Sequence, residues 1–138
     1  MFGRIPYELM ARYWPTPLAA ENDPVVAERM NTLPKVVFSR TLEKATWNNT
    51  KLMKGNIAAE VGRMKKAPGP GMVIFGSGTI VAQLADQGLI DEFQIVVNPV
   101  ALGAGKTMFA GIRKRLDLKR TAVGSFANGN VVLSYEHV

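Results

Sequence analysis

The sequence predicts an α/β fold with a mostly parallel sheet and an antiparallel C-terminal hairpin. Three observations carry that prediction. Met72–Phe75 is a run of four apolar residues, as a strand buried on both faces requires. Gly76-Ser77-Gly78 follows at once, and Ile80, Val81, Leu84 and Ala85 then recur at helical spacing until Gly88, a residue that tolerates the positive φ of a helix end. Near the C-terminus, Leu116 to Phe126 and Val131 to His137 flank Asn128-Gly129, a strong two-residue hairpin signal.

The remaining elements alternate along the chain. A short helix over residues 6 to 13 follows Gly3-Arg4. Asp23-Pro24 opens another through Val25, Val26 and Met30, with aspartate as N-cap and proline at the first helical position, where a backbone N–H is not needed. Lys35 to Ser39 reads as a strand and Lys51 to Met53 as a brief one. Ile57, Val61 and Met64 then place an apolar stripe on a helix ending at Lys65-Lys66, cations suited to the negative end of a helix dipole. Ala67-Pro68-Gly69-Pro70-Gly71 breaks that helix, and Phe93 to Val97 supplies a further buried strand. No repeat, linker or low-complexity tract intervenes, so one α/β domain over residues 1 to 138 is expected.

Composition narrows the chemistry. With 138 residues, 47% of them hydrophobic, the chain can bury one core and lacks the length for two full domains. It has no cysteine and one histidine, His137 near its end. Disulfides and thiolate catalysis are excluded, no metal site is expected, and His137 reads as a strand-end residue. The formal charge is +6, with Arg113, Lys114, Arg115, Lys119 and Arg120 crowded around Leu116 and Leu118. No aromatic residue interleaves with them to stack bases, so they read as the solvated face of a loop entering a strand, and nucleic acid is not an expected partner. A basic surface also suits a phosphorylated cofactor. Neither a secretory apolar region nor a membrane-length run is present, so a cytoplasmic location without membrane contact is expected.

The order strand, Gly76-Ser77-Gly78, helix aims free N–H groups of a helix start at whatever lies above the strand, and an anion, most often a phosphate, binds there. The same glycines can serve only to turn the chain tightly, and on geometry alone both readings stand.

Read whole, the segment resembles the dihydrofolate reductase-like superfamily, and within it the C-terminal reductase domain of the bacterial riboflavin-biosynthesis deaminase/reductase and its stand-alone relatives. The matching pieces are Gly76-Ser77-Gly78-Thr79, Gly88-Leu89-Ile90-Asp91-Glu92, and Asn98-Pro99-Val100 followed by Leu102-Gly103-Ala104-Gly105-Lys106. Further matches are Met1-Phe2-Gly3-Arg4 with Tyr7-Glu8, Tyr13-Trp14-Pro15, Pro34 to Leu42, and Trp47-Asn48-Asn49-Thr50, with Pro6 where the family usually has threonine. The resemblance implies a three-layer α/β/α fold, a bound NADPH, and reduction of a pterin, an aminouracil of the riboflavin pathway, or a related heterocycle. Carried onto this chain, it assigns Gly76, Ser77, Gly78, Thr79 and Ile80 to the cofactor pyrophosphate. Ser39, Arg40 and Thr41 go to the adenosine 2′-phosphate, for which a guanidinium and two hydroxyls are apt chemistry. Gly3 and Arg4 match a helix start that also grips phosphate.

The resemblance leaves the catalytic residues unknown. Its members carry a first strand upstream of the Gly-Arg motif, where this sequence starts, and its riboflavin-pathway members commonly have a glutamate where Phe75 stands. Glu8, Asp91 and Glu92 lie inside matched motifs, yet an acid in a first helical turn or at a strand entrance has a structural role of its own. A sheet without an interior strand exposes ladder edges, and family members are often dimers, so a homodimer is expected. Trp14, Trp47 and Phe109 read as core or as dimer anchors. The alternative function is a catalytically silent nucleotide-binding or assembly module of the same fold.

Overall fold

The structure, a computed structural model, describes residues 1–138. It is of mixed α/β class and divides into two compact units, Met1–Val81 and Ala82–Val138.

The first unit holds β1 (Phe2–Gly3), α1 (Arg4–Tyr13), α2 (Pro17–Asn22), α3 (Pro24–Thr32), β2 (Lys35–Phe38), β3 (Thr50–Met53) and α4 (Ile57–Lys66), and the start of α5 (Gly78–Asp86). Its sheet is parallel in the order β1-β2-β3, with Phe2 beside Val37 and Val37 beside Leu52. Helix α1 starts at Arg4, two residues earlier than the sequence suggests. Pro6 falls in its first turn, where no intrahelical N–H is required. Helix α2 went unforeseen although Thr16-Pro17 signals it: the Thr16 hydroxyl accepts from Ala19 N at 3.2 Å, ahead of a proline at the first helical position. The Asn56 side chain caps α4 in the same way, accepting from Ala59 N at 3.0 Å.

Met72–Phe75 is extended but is not the doubly buried strand that its sequence suggests. Met1 donates its amine to Val73 O, and Phe75 N donates to Met1 O at 3.4 Å, two bonds that bracket Ile74 in the parallel manner. The pairing stops there, on one side only, which leaves Met72, Val73 and Phe75 38%, 58% and 47% exposed.

The core of this unit is aromatic: Phe2, Tyr7, Val37 and Trp47 are buried together, with Met10, Trp14, Met30 and Leu52 packed around them. Its polar groups are all partnered. Trp47 N donates to the Tyr7 hydroxyl at 3.0 Å, Trp47 Nε1 to Asn31 Oδ1 at 2.8 Å, and Asn31 Nδ2 to the carbonyls of Ala27 and Trp14. The Lys35 ammonium donates to Met30, Asn31 and Leu33 carbonyls at the end of α3 and lies 4.6 Å from the Trp47 ring centroid. Burial lowers its pKa, and the three carbonyls with the ring offset part of that cost.

The second unit holds β4 (Glu92–Val97), β5 (Leu118–Ser125) and β6 (Val131–His137) as an antiparallel sheet in the order β4-β6-β5. The end of α5 belongs to it, with Ala82, Leu84 and Ala85 buried. Gly88 closes that helix at φ +64° while Leu89 N donates to Leu84 O at 2.9 Å, the left-handed glycine cap that the sequence indicates. Phe93 is buried with the edge-on ring of Phe109 at 5.8 Å.

Two sequence expectations need correction here. Asn128-Gly129 are not the central pair of a two-residue turn: Gly129 N donates to Phe126 O and Phe126 N to Asn130 O, and Gly129 alone of the loop has positive φ. That is a three-residue connection with glycine at its left-handed position. Strand β4 is not buried throughout, since Val96 and Val97 are 52% and 49% exposed. It pairs with β6 alone, and its other edge is open.

Candidate nucleotide-binding site

Gly3, Phe38 and Met53 form one row across the C-terminal edge of the parallel sheet, because Gly3 pairs with Phe38 and Phe38 with Met53. Open α/β sheets take their ligands at this edge. The residues just past the row are Arg4, Ser39 and Lys54. Helix α1 begins directly at Arg4, so its N-terminal N–H groups open onto the same edge.

Side chains from distant segments meet there. Arg4 Nη1 donates to Thr41 Oγ1 at 2.7 Å, and Arg4 Nε to Glu8 Oε1 at 2.9 Å. The Ser39 hydroxyl accepts from Leu42 N at 3.0 Å and Thr41 N at 3.3 Å, which folds the Ser39-Arg40-Thr41 turn back over the strand end. Ser39 N donates to Met53 O at 3.1 Å and ties that turn to β3. Arg40 stands exposed at the tip.

The glycine turn approaches from the other side of β1. A Cβ on Gly3 would lie 2.4 Å from Ser77 Oγ and 3.4 Å from Ile80 Cδ1, so glycine at position 3 is what lets the two segments touch. Gly76 takes φ +69°, and Val81 N donates to Ser77 O at 3.0 Å, making Ser77 the N-cap of α5. Gly78 and Thr79 are exposed at the helix start, whereas Ile80 is buried and contributes packing.

Of the residues singled out from sequence, Gly3, Arg4, Ser39, Thr41, Ser77 and Ile80 are in direct or one-step contact. Gly76, Gly78 and Thr79 share the same turn, and Arg40 shares its loop without bonding to the others. Sequence reasoning missed Lys54, exposed one residue past Met53; a cation ending a strand parallel to β2 was the available signal. Glu8 is engaged by Arg4, and Glu92 accepts from Gln94 Nε2 at 3.0 Å. Donors and hydroxyls at a strand edge beside two helix N-termini can hold phosphate oxygens.

A family model for the RibD C-terminal domain matches residues 1–132. The chain belongs to the RibD C-terminal domain family. It is 30% identical over 135 residues to the uncharacterized protein YyaP of Bacillus subtilis (strain 168), covering 98% of this chain and 71% of YyaP. Among solved structures it resembles a protein named for riboflavin biosynthesis from Shewanella sp. PV-4, with TM-score 0.70 and 18% identity over 99% of this chain and 72% of that one. It also resembles a pyrimidine reductase-like protein from Corynebacterium diphtheriae, with TM-score 0.53 and 14% identity over 75% of this chain and 50% of that one. At those identities the structural matches speak for the RibD-type fold. No helix of the chain is long and apolar enough to cross a membrane.

Proposed function

We propose that this chain is a NADPH-dependent reductase of a heterocyclic substrate, of the pterin or aminopyrimidine kind. The observation that carries the reading is the Arg4–Thr41 bond beside Ser39. It gathers a guanidinium and two hydroxyls at the sheet edge where the α1 N-terminus opens, an arrangement apt for a phosphate dianion. The Gly3–Ser77 contact brings the α5 N-terminus up on the opposite flank of β1, suited to a second phosphate group.

When bound, NADPH supplies the hydride. The tasks left to the chain are to hold the phosphates and to fix the cofactor's direction along the edge. Arg40, exposed and unbonded, is free to reach a 2′-phosphate that NADH lacks.

A second reading, a nucleotide-binding module without turnover, draws on one observation. Glu8, the carboxylate hydrogen-bonded into the cluster, is engaged by Arg4, and Phe75 before the glycine turn offers no acid. Loss of NADPH absorbance in the presence of pterin and aminopyrimidine substrates distinguishes the two. Oxidation with any of these substrates supports the reductase; NADPH binding without oxidation supports the module.

A further inference from the structure

The last turn of α3 is short of N–H donors, and the sequence supplies the reason. Met30 O would ordinarily accept from the residue four places on, but that residue is Pro34, which has no N–H. Asn31 O would accept from Lys35 N, which is instead drawn into the parallel sheet and donates to Asn49 O at 2.8 Å. The neighbouring carbonyls are provided for: Leu33 N donates to Arg29 O, the Thr32 hydroxyl to Glu28 O, and Asn49 Nδ2 to Thr32 O. The carbonyls of Met30, Asn31 and Leu33 converge on one point, where Lys35 Nζ stands at 2.8, 3.2 and 2.9 Å. An ammonium has three N–H groups, so donors and acceptors match one for one. The Trp47 ring, its centroid 4.6 Å away, and the negative end of the α3 dipole both favour a cation there.

We infer that these three carbonyls and the Trp47 ring form a binding site for a primary ammonium group, which the chain fills with its own Lys35 and which accepts a free alkylammonium ion when that side chain is cut back. Other groups match it less well. A hydroxyl brings one donor, a guanidinium spreads five in a plane, and a quaternary ammonium has none. Lys35 is 5% exposed, and a cation so far removed from water needs every donor engaged. The site ties the end of α3 to the start of β2 and, through Trp47, to the loop before β3, all within the first unit. It lies at the end of β2 away from Ser39 and is independent of the nucleotide reading.

Lys35→Ala keeps the Cβ and leaves room for ethylammonium, whose two carbons and nitrogen replace the outer side chain. Its melting midpoint should fall well below that of the wild type and rise saturably with ethylammonium chloride, while the wild type does not respond. Equal concentrations of sodium chloride, tetramethylammonium chloride or ethanol leave the variant low, because none brings both a charge and N–H donors. Lys35→Met fills the space without donors, melts low and stays low in ethylammonium. Should Lys35→Ala fail to fold alone, ethylammonium is expected to restore a cooperative melt. Three results overturn the inference: Lys35→Met as stable as the wild type, ethanol rescuing Lys35→Ala as well as ethylammonium does, or Lys35→Ala gaining nothing from ethylammonium, whether folded or not.

Discussion

Arg4 and Thr41 are 37 residues apart in sequence and 2.7 Å apart in space, guanidinium to hydroxyl. The distance follows from the sheet: Gly3 pairs with Phe38, so one residue past the first and three past the second come together beyond the strand ends. Since the Arg4 side chain is about half exposed and already shares Glu8, its contribution to folding is small, of order 1 kcal/mol or less. Its value lies in presenting a fixed cation.

Arg4→Ala is therefore expected to leave the unfolding midpoint nearly unchanged. NADPH affinity should fall by about 1.5 to 3 kcal/mol, the worth of a charge-assisted hydrogen bond to phosphate. Calorimetric titration beside a thermal melt checks both halves. A variant that melts early while binding normally would make Arg4 a structural residue.

The Gly3–Ser77 contact is testable by a double-mutant cycle. Gly3→Ala puts a methyl 2.4 Å from Ser77 Oγ and must rotate or displace that hydroxyl, whereas in a Ser77→Ala background the methyl meets Ile80 Cδ1 at 3.4 Å and the Cβ of residue 77 at 3.6 Å, both ordinary contacts or nearly so. The two substitutions should therefore couple by about 0.5 kcal/mol or more in stability, as contacting residues do. Strict additivity would contradict the geometry.

Much of this was legible beforehand. The Asp23-Pro24 start, the Ile57/Val61/Met64 stripe and the Gly88 stop each rest on local chemistry within one or two turns, and α3, α4 and α5 follow them. The glycine turn and the Gly-Arg start could be read for the same reason. Local sequence carries no information on which segments meet. Neither the Arg4–Thr41 bond nor the set of Lys35, Asn31 and Trp47 held together around the end of α3 has a pattern within a single element. Met72–Phe75 and β4 misled for a different reason: an apolar run records that a strand can be covered on both faces and does not supply the neighbour that covers it. Asn128-Gly129 pointed to the right hairpin with the wrong turn, because Gly129 fits the left-handed position of either loop.

The hairpin glycine sets up a stability comparison. Gly129 and Gly88 both take positive φ, +88° and +64°, but a Cβ on Gly129 would meet Pro99 Cγ at 3.0 Å while Gly88 faces open space. Each change to alanine costs about 1 to 2 kcal/mol for the left-handed backbone, and Gly129→Ala should cost more because Pro99 must also move. Denaturant midpoints give the order, and an equal loss at both sites would refute the Pro99 contact.

With a free amine at Met1, the chain should lose stability on mild acidification. Burial lowers that amine from its ordinary 8.0 to about 6 while it donates to Val73 O. A group with a depressed folded pKa contributes stability that is complete above its unfolded value and is lost as pH falls through the folded one. The window runs from pH 8 down to about pH 6, with a loss of roughly 2 to 3 kcal/mol. Urea unfolding across that window, with the amine free and with it acetylated, measures the effect. The same slope in both forms would mean that Met1 does not titrate as described.

The most direct test of the nucleotide site compares NADPH with NADH by calorimetry, in the wild type and in Arg40→Ala. NADPH should bind more tightly, and Arg40→Ala should lower its affinity by about 1.5 to 3 kcal/mol while scarcely changing that for NADH. Equal affinities for the two cofactors in the wild type, or no binding of either, would contradict the assignment of the sheet edge at Arg4, Ser39, Arg40 and Thr41.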